Sequence, residues 1–165
     1  CHVMITINNK QPGFTIVELL IVVVVIGILA AIVIVAYNGI QNSANEAAVK
    51  SDLGNIAKKL ELYRIENASY PANETELDTT DIKVSKSSYL IRNNIYYCTT
   101  SDKQRYAVGV YVSNGTQYYL VDGSIKNASD VNTGNTCSQV GVSGNSQGTG
   151  YKSWTSPPRW ADWVE

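Results

Sequence analysis

Residues 19–37 read LLIVVVVIGILAAIVIVAY, apolar throughout apart from Gly27. A helix of that length rises about 1.5 Å per residue and spans roughly 28 Å, close to the thickness of a bilayer's hydrocarbon core. A core strand of a soluble protein would stop after about eight residues. The run of Val22–Ile26 leans toward strand, but lipid demands that backbone hydrogen bonds be made within the segment, which only a helix does for a single span. Residues 38–165 are of another kind, rich in Asn, Ser, Thr, Gly and Tyr with charges scattered among them. The chain therefore reads as one membrane helix followed by a water-facing domain.

The apolar run has a carboxylate at its head. Glu18 is followed by no other charged residue until Glu46. Before it lies CHVMITINNKQPG, whose one basic residue is Lys10. A secretory signal has a shorter apolar stretch and a small-residue cleavage site after it. Here the candidate processing site, Gly13-Phe14, precedes the apolar run, so cleavage would leave the helix on the product. Glycine before the scissile bond permits close approach of an extended backbone, and Pro12 keeps Gln11 extended.

The stretch KQPGFTIVELLIVVVVIGILAAIVIVAYNGIQNSA, residues 10–44, strongly resembles the N-terminal segment of bacterial type IV pilins and pseudopilins. In that family a membrane aspartyl peptidase cuts after the Gly and methylates the new N-terminal Phe. The resemblance implies cleavage between Gly13 and Phe14, N-methylation of Phe14, and an assembly role for Glu18. Its combination of Gly-Phe, an acid at the fifth mature position and a long apolar span is specific. Beyond residue 44 it extends only to general layout. The family commonly has proline where this chain has Val35, so a proline kink is not expected there. Met4 is the one methionine, and a start at that residue would give a ten-residue leader.

Burying a charged carboxylate deep in lipid costs about 2.5–3.5 kcal/mol on insertion scales, and less near the membrane edge. The plain reading of Glu18 is an acid resting among headgroups. The family reading pairs it with the Phe14 α-amine of a neighbouring subunit, which makes it a register mark, since an unpaired buried charge is penalised.

After Tyr37 an amphipathic pattern continues through Ile40, Ala44, Ala47, Leu53, Ile56, Ala57, Leu60 and Tyr63. Lys50, Asp52, Lys58, Lys59 and Glu61 fall largely between these positions. One helix is expected from about Phe14 to Asn67, ended by Tyr70-Pro71. Residues 72–87 read as an irregular polar loop, and SYLIRNNIYYCTT as one or two strands. RYAVGVYVSNGTQYYLVD reads as a hairpin turning on a two-residue type I′ Asn114-Gly115 loop. That register sets Val112, Val110 and Val108 opposite Gln117, Tyr119 and Val121, with one face on the helix and the other looking outward. Asp122-Gly123 marks the next turn. Cys98 and Cys137 are an even pair outside the leader, which suggests a disulfide in an extracytoplasmic setting; two free thiols are the alternative.

The expected fold class is thus α+β and pilin-like: a long N-terminal helix, transmembrane in its first half, packed on a small antiparallel sheet. The expected segments are a leader (1–13), a transmembrane helix and filament core (14–37), an amphipathic continuation (38–70), a globular β domain (71–140), and a Gly/Ser spacer with a Trp-rich tail (141–165). Trp154, Trp160 and Trp163 in that tail either pack on the protein or form an adhesive surface.

No catalytic constellation is legible. The single histidine, His2, lies in the leader, which removes Ser-His-Asp and Cys-His devices from the exported part. No enzyme activity, cofactor or metal is expected. Loss of Lys10 with the leader changes 13 basic residues to 12 against 14 acids, a side-chain net of −2, so nucleic acid is not indicated as a partner. The resemblance implies a type IV pilus subunit serving adhesion, motility or DNA uptake. Its implied partners are the prepilin peptidase/methylase, other pilin subunits in a homopolymer and a pilus assembly platform. It would reside in the inner (cytoplasmic) membrane before assembly and in an extracellular filament after it. A type II secretion pseudopilin and a membrane-anchored binding module that never polymerises are the alternatives.

Overall fold

The computed structural model describes residues 13–89, 95–143 and 150–152. The leader residues 1–12, residues 90–94 of the strand-like stretch, the centre of the spacer and Trp154, Trp160 and Trp163 lie outside the described residues. The chain divides into two compact units, 1–39 and 40–165.

The first unit is helical from its fourth described residue onward, within α1 (Ile16–Asn67). Its large apolar side chains lie open, from 48% exposed at Val25 to 83% at Ile16. This stretch is long and apolar enough to cross a membrane, and none of it is buried. A surface of this size and composition is covered by lipid or protein, not by water.

In the second unit the rest of α1 carries Val49, Leu53, Ile56 and Leu60, spaced four, three and four residues apart and all buried. They share a core with Val108, Val110, Tyr118 and Leu120 of the sheet and with Val112 just after β2's last residue, Tyr111. The expected stripe was partly misplaced: Ala44 and Ala47 are exposed, and Val49 takes the buried position. The helix stops at Asn67 because Ala68 adopts φ 58°, a left-handed residue that cannot continue it, three residues before Pro71.

Residues 72–87 are more ordered than a polar loop. Asn73 caps α2 (Glu74–Asp78), its Oδ1 accepting from Glu76 N–H at 3.0 Å, while the Glu76 carboxylate accepts from Ala72 N–H at 2.7 Å. This reciprocal cap stabilises a helix too short to show a 3.6-residue period. Leu77, Ile82 and Val84 from this region enter the main core, and a single 3-10 turn covers Lys86–Ser88.

The sheet has five antiparallel strands: β1 (Ile95–Thr99), β2 (Tyr106–Tyr111), β3 (Gln117–Val121), β4 (Ser124–Ala128) and β5 (Gly150–Lys152), in the order β4-β3-β2-β1-β5. The hairpin between β2 and β3 differs from expectation by one residue. Val108 pairs with Leu120 and Val110 with Tyr118, not with Val121 and Tyr119. A type I′ loop needs positive φ at both central residues, but Asn114 is not among the positive-φ residues, whereas Gly115 has φ +89°. The loop therefore takes three residues, Ser113 to Gly115, closed by Gly115 N–H to Val112 O at 2.9 Å and Val112 N–H to Thr116 O at 2.8 Å. A one-residue slip exchanges the faces of β3. Asp122 and Gly123, at φ 45° and 84°, do form a two-residue turn of the I′ kind.

The second face of the sheet is covered, where it was expected to look outward. Ala107, Tyr119 and Val121 pack with Val131 and Val140, which flank α3 (Thr133–Ser138). Gly109 is required beneath this layer, since a Cβ there would stand 2.4 Å from Thr136 Oγ1 and 2.6 Å from Val131 Cγ1. Cys98 of β1 and Cys137 of α3 are joined by a disulfide, with Cα atoms 5.2 Å apart. Closing a loop of 39 residues contributes about 3–4 kcal/mol in the loop-entropy account.

Candidate assembly site

Gly13, Phe14 and Thr15 lie outside the helix, and α1 begins at Ile16. Phe14 is 86% exposed, and a side chain at Gly13 would meet nothing within 4 Å. The junction is thus an open peptide outside the helix.

Thr15 and Glu18 determine where the helix starts. Thr15 N–H and Thr15 Oγ1–H both donate to Glu18 Oε2, at 2.8 and 2.7 Å. Glu18 N–H donates in return to Thr15 Oγ1 at 3.3 Å. This is a reciprocal T-x-x-E cap: it satisfies amide groups that the first turn of a helix leaves without partners. The carboxylate also stands at the positive end of the helix dipole, where an anion is favoured. Thr15 was not singled out from the sequence. The signal lies in the sequence as Thr followed three residues later by Glu ahead of an apolar run.

Within the single chain, then, Glu18 is held by its own first turn, and the Phe14 nitrogen is an amide until the preceding bond is cut. Cleavage would convert it to an amine one residue before the capped turn, beside an exposed apolar helix. An amine, a fixed carboxylate and a long apolar flank would then stand together at one end of the helix.

The second unit is tied to its part of α1 by three acids that the helical pattern had placed on the polar side or left out. Glu46 accepts from Asn114 Nδ2 at 2.8 Å, Thr116 Oγ1 at 3.1 Å and Tyr118 OH at 3.0 Å. The Asn114 bond chiefly, then those of Tyr118 and Thr116, hold its pKa below the usual carboxylate value. Asp52, 7% exposed, accepts from Ser85 N–H at 2.8 Å and Tyr89 OH at 3.0 Å. Burial first, then the Asp52 charge, push the Tyr89 hydroxyl well up. Glu61 accepts from Tyr70 OH at 2.5 Å and pairs with Arg64 Nη2 at 2.9 Å; the Tyr70 bond lowers its pKa, while burial and that bond push Tyr70 up to about 12. Among the described residues no group of three or more His, Cys, Asp or Glu side chains is placed to hold a metal ion.

Residues 8–34 match the family described as the prokaryotic N-terminal methylation motif. The chain is 36% identical to type II secretion system core protein G of Pseudomonas aeruginosa over 43% of its own length and 50% of that protein. To the protein of the same name in Escherichia coli K12 it is 32% identical, over 44% of this chain and 50% of the other. The chain spans about half the length of these secretion-system relatives. To the type IV wide pilus major component PilA4 of Thermus thermophilus it is 31% identical over 64% of this chain and 90% of that protein. No solved structure matches it. With the prepilin motif at its head, a long apolar N-terminal helix, an antiparallel sheet packed on the second part of that helix, and a pilin match over nine-tenths of the relative, the chain belongs to the type IV pilin and pseudopilin family.

Proposed function

We propose that this chain is a structural subunit of a type IV pilus filament. It is cut after Gly13 by a prepilin peptidase, methylated on the Phe14 amine, and held in the cytoplasmic membrane by residues 14–37. An assembly platform then draws it into a homopolymer in which these helices pack together. Glu18 of each subunit pairs with the Phe14 amine of a neighbour. Removing two opposite charges from water together is tolerable only if they meet, so a subunit out of step would bury an unpaired carboxylate and be rejected. The helix loses lipid contacts on extraction and regains equivalent apolar contacts from its neighbours.

The observation that carries the pilus reading is the extent of the PilA4 match. A match covering 64% of this chain continues beyond α1 into the sheet-bearing part. The protein G matches cover under half of the chain. A second reading, a type II secretion pseudopilin, is favoured by the several relatives that bear the protein G name.

The test is electron microscopy of material sheared from cells, with mass spectrometry of the fibre subunit's N-terminus. A fibre whose subunits begin at N-methylated Phe14, lost with the gene while secretion of hydrolases continues, supports the pilus. Loss of hydrolase secretion with no loss of surface fibres supports the pseudopilin. Fibres starting at another residue overturn the processing claim.

A further inference from the structure

The hairpin loop carries chemistry that assembly does not use. In Asn114-Gly115, glycine leaves the following backbone nitrogen unhindered by a Cβ, the condition that favours attack on the asparagine side chain. The fold ties both reacting groups. Gly115 N–H donates to Val112 O at 2.9 Å. Asn114 Oδ1 accepts from Thr116 N–H at 2.9 Å, and Asn114 Nδ2 donates to Glu46 Oε1 at 2.8 Å. The same carboxylate accepts from Thr116 Oγ1 at 3.1 Å and Tyr118 OH at 3.0 Å, and Lys50 lies over the Tyr118 ring. Glu46 is thus met by an amide NH2 and two hydroxyls, and a carboxylate at position 114 would face it in place of the first of these donors.

We propose that Asn114 is a site of spontaneous deamidation that the Glu46 clamp holds back, and that its product unfastens the β2–β3 loop from α1. The Gly115 nitrogen gives its proton to water and attacks Asn114 Cγ. An N–Cγ bond forms, the Cγ–Nδ2 bond breaks, and Nδ2, taking up a proton from water, departs as ammonia. Water then opens the five-membered imide at either carbonyl carbon and leaves an aspartyl or isoaspartyl carboxylate. One water is consumed, one ammonia is released, and nothing is oxidised or reduced. The reaction proceeds from conformers in which the loop has opened, because in the closed loop the nucleophile and its target are both hydrogen-bonded elsewhere. In the product a carboxylate replaces the donor that faced Glu46, and two like charges share one site. Each conversion therefore disfavours the closed loop that had prevented it.

The full chain in detergent micelles provides two independent readouts. The first is the amide-to-acid mass gain of the peptide containing Asn114 after incubation at mildly alkaline pH. Conversion in the folded chain is expected to be roughly tenfold or more slower than in the urea-unfolded chain. Glu46→Ala moves the folded rate toward the unfolded one, while Tyr118→Phe, which retains the Asn114–Glu46 bond, leaves it near that of the parent. The second readout is the thermal midpoint of Asn114→Asp, which copies the aspartyl product. A clear downward shift is expected in the Glu46 background, and a much smaller one in the Glu46→Gln background, where the amide can donate to the new carboxylate. If Glu46→Ala proves unfolded, this pair decides alone. Equal conversion rates in folded and unfolded chains, or equal Asn114→Asp shifts in the two backgrounds, overturn the proposal.

Discussion

Thr15 and Glu18 bond each other reciprocally: two donors of Thr15 converge on one carboxylate oxygen, and the Glu18 amide returns a bond to the Thr15 hydroxyl. The carboxylate to which we assign a contact between subunits is therefore also a cap within its own subunit. Thr15 acts as a positioning residue that limits where Glu18 can point. Thr15→Val is expected to weaken the helix start by about 0.5–2 kcal/mol, the usual effect of losing an N-cap, whereas Thr15→Ser keeps it. Hydrogen exchange of the Glu18 and Leu19 amides in micelles checks this, with faster exchange for valine and no change for serine.

Asp52 is expected to behave as a buried anchor. Asp52→Ala removes the carboxylate shared by the half-buried Ser85 amide and the buried Tyr89 hydroxyl, and losing a hydrogen-bond partner at a buried site costs about 1–3 kcal/mol. Denaturant midpoints of the variant should fall accordingly, and Tyr89→Phe, which removes only one of the two donors, should fall less.

Much of the architecture was readable because its signals are local. The stretch 19–37, apolar but for Gly27, dictates a long helix, and Asp122-Gly123 supplies two residues that both tolerate positive φ. What was misread depends on distant partners. Nothing near Asp52 in sequence reveals that Ser85 and Tyr89 will surround it, so an acid at a buried helical position reads as solvent-facing. The β2–β3 register turned on whether Asn114 would take a left-handed conformation, and the fold instead uses its side chain to hold Thr116 and Glu46. Of the candidate assembly site, Gly13, Phe14 and Glu18 stand out through the motif that residues 8–34 match. The Thr15 cap was present as a spacing and was passed over.

Stability should fall at both ends of the pH scale, through different groups. The folded-state pKa values of Glu46 and Glu61 are depressed, so their contribution is fully present above the ordinary carboxylate value of 4.5 and is lost as pH drops below it through the lowered values. Tyr70 is raised from 10.0 to about 12, so its contribution is present below pH 10 and is lost between 10 and about 12. Thermal midpoints against pH, compared with Glu46→Gln and Tyr70→Phe, should show a weaker acid limb for the first and a weaker alkaline limb for the second.

Gly109→Ala should strain the layer between β2 and α3. The added methyl meets Thr136 Oγ1 and Val131 Cγ1 well inside contact distance, and overpacking of this kind costs about 1–3 kcal/mol. Thr136→Ala in the same chain should restore part of the loss, as a double-mutant cycle of thermal midpoints would read.

The central claim is that Glu18 answers the amine of an adjoining subunit and so sets the step of the filament. Its most direct measurement is the yield of sheared fibres from cells expressing Glu18→Gln, which keeps the side chain's shape and removes its charge. The substituted protein should be cut after Gly13, accumulate in the membrane, and give few fibres or none. Fibres in wild-type numbers from that neutral variant would contradict the account.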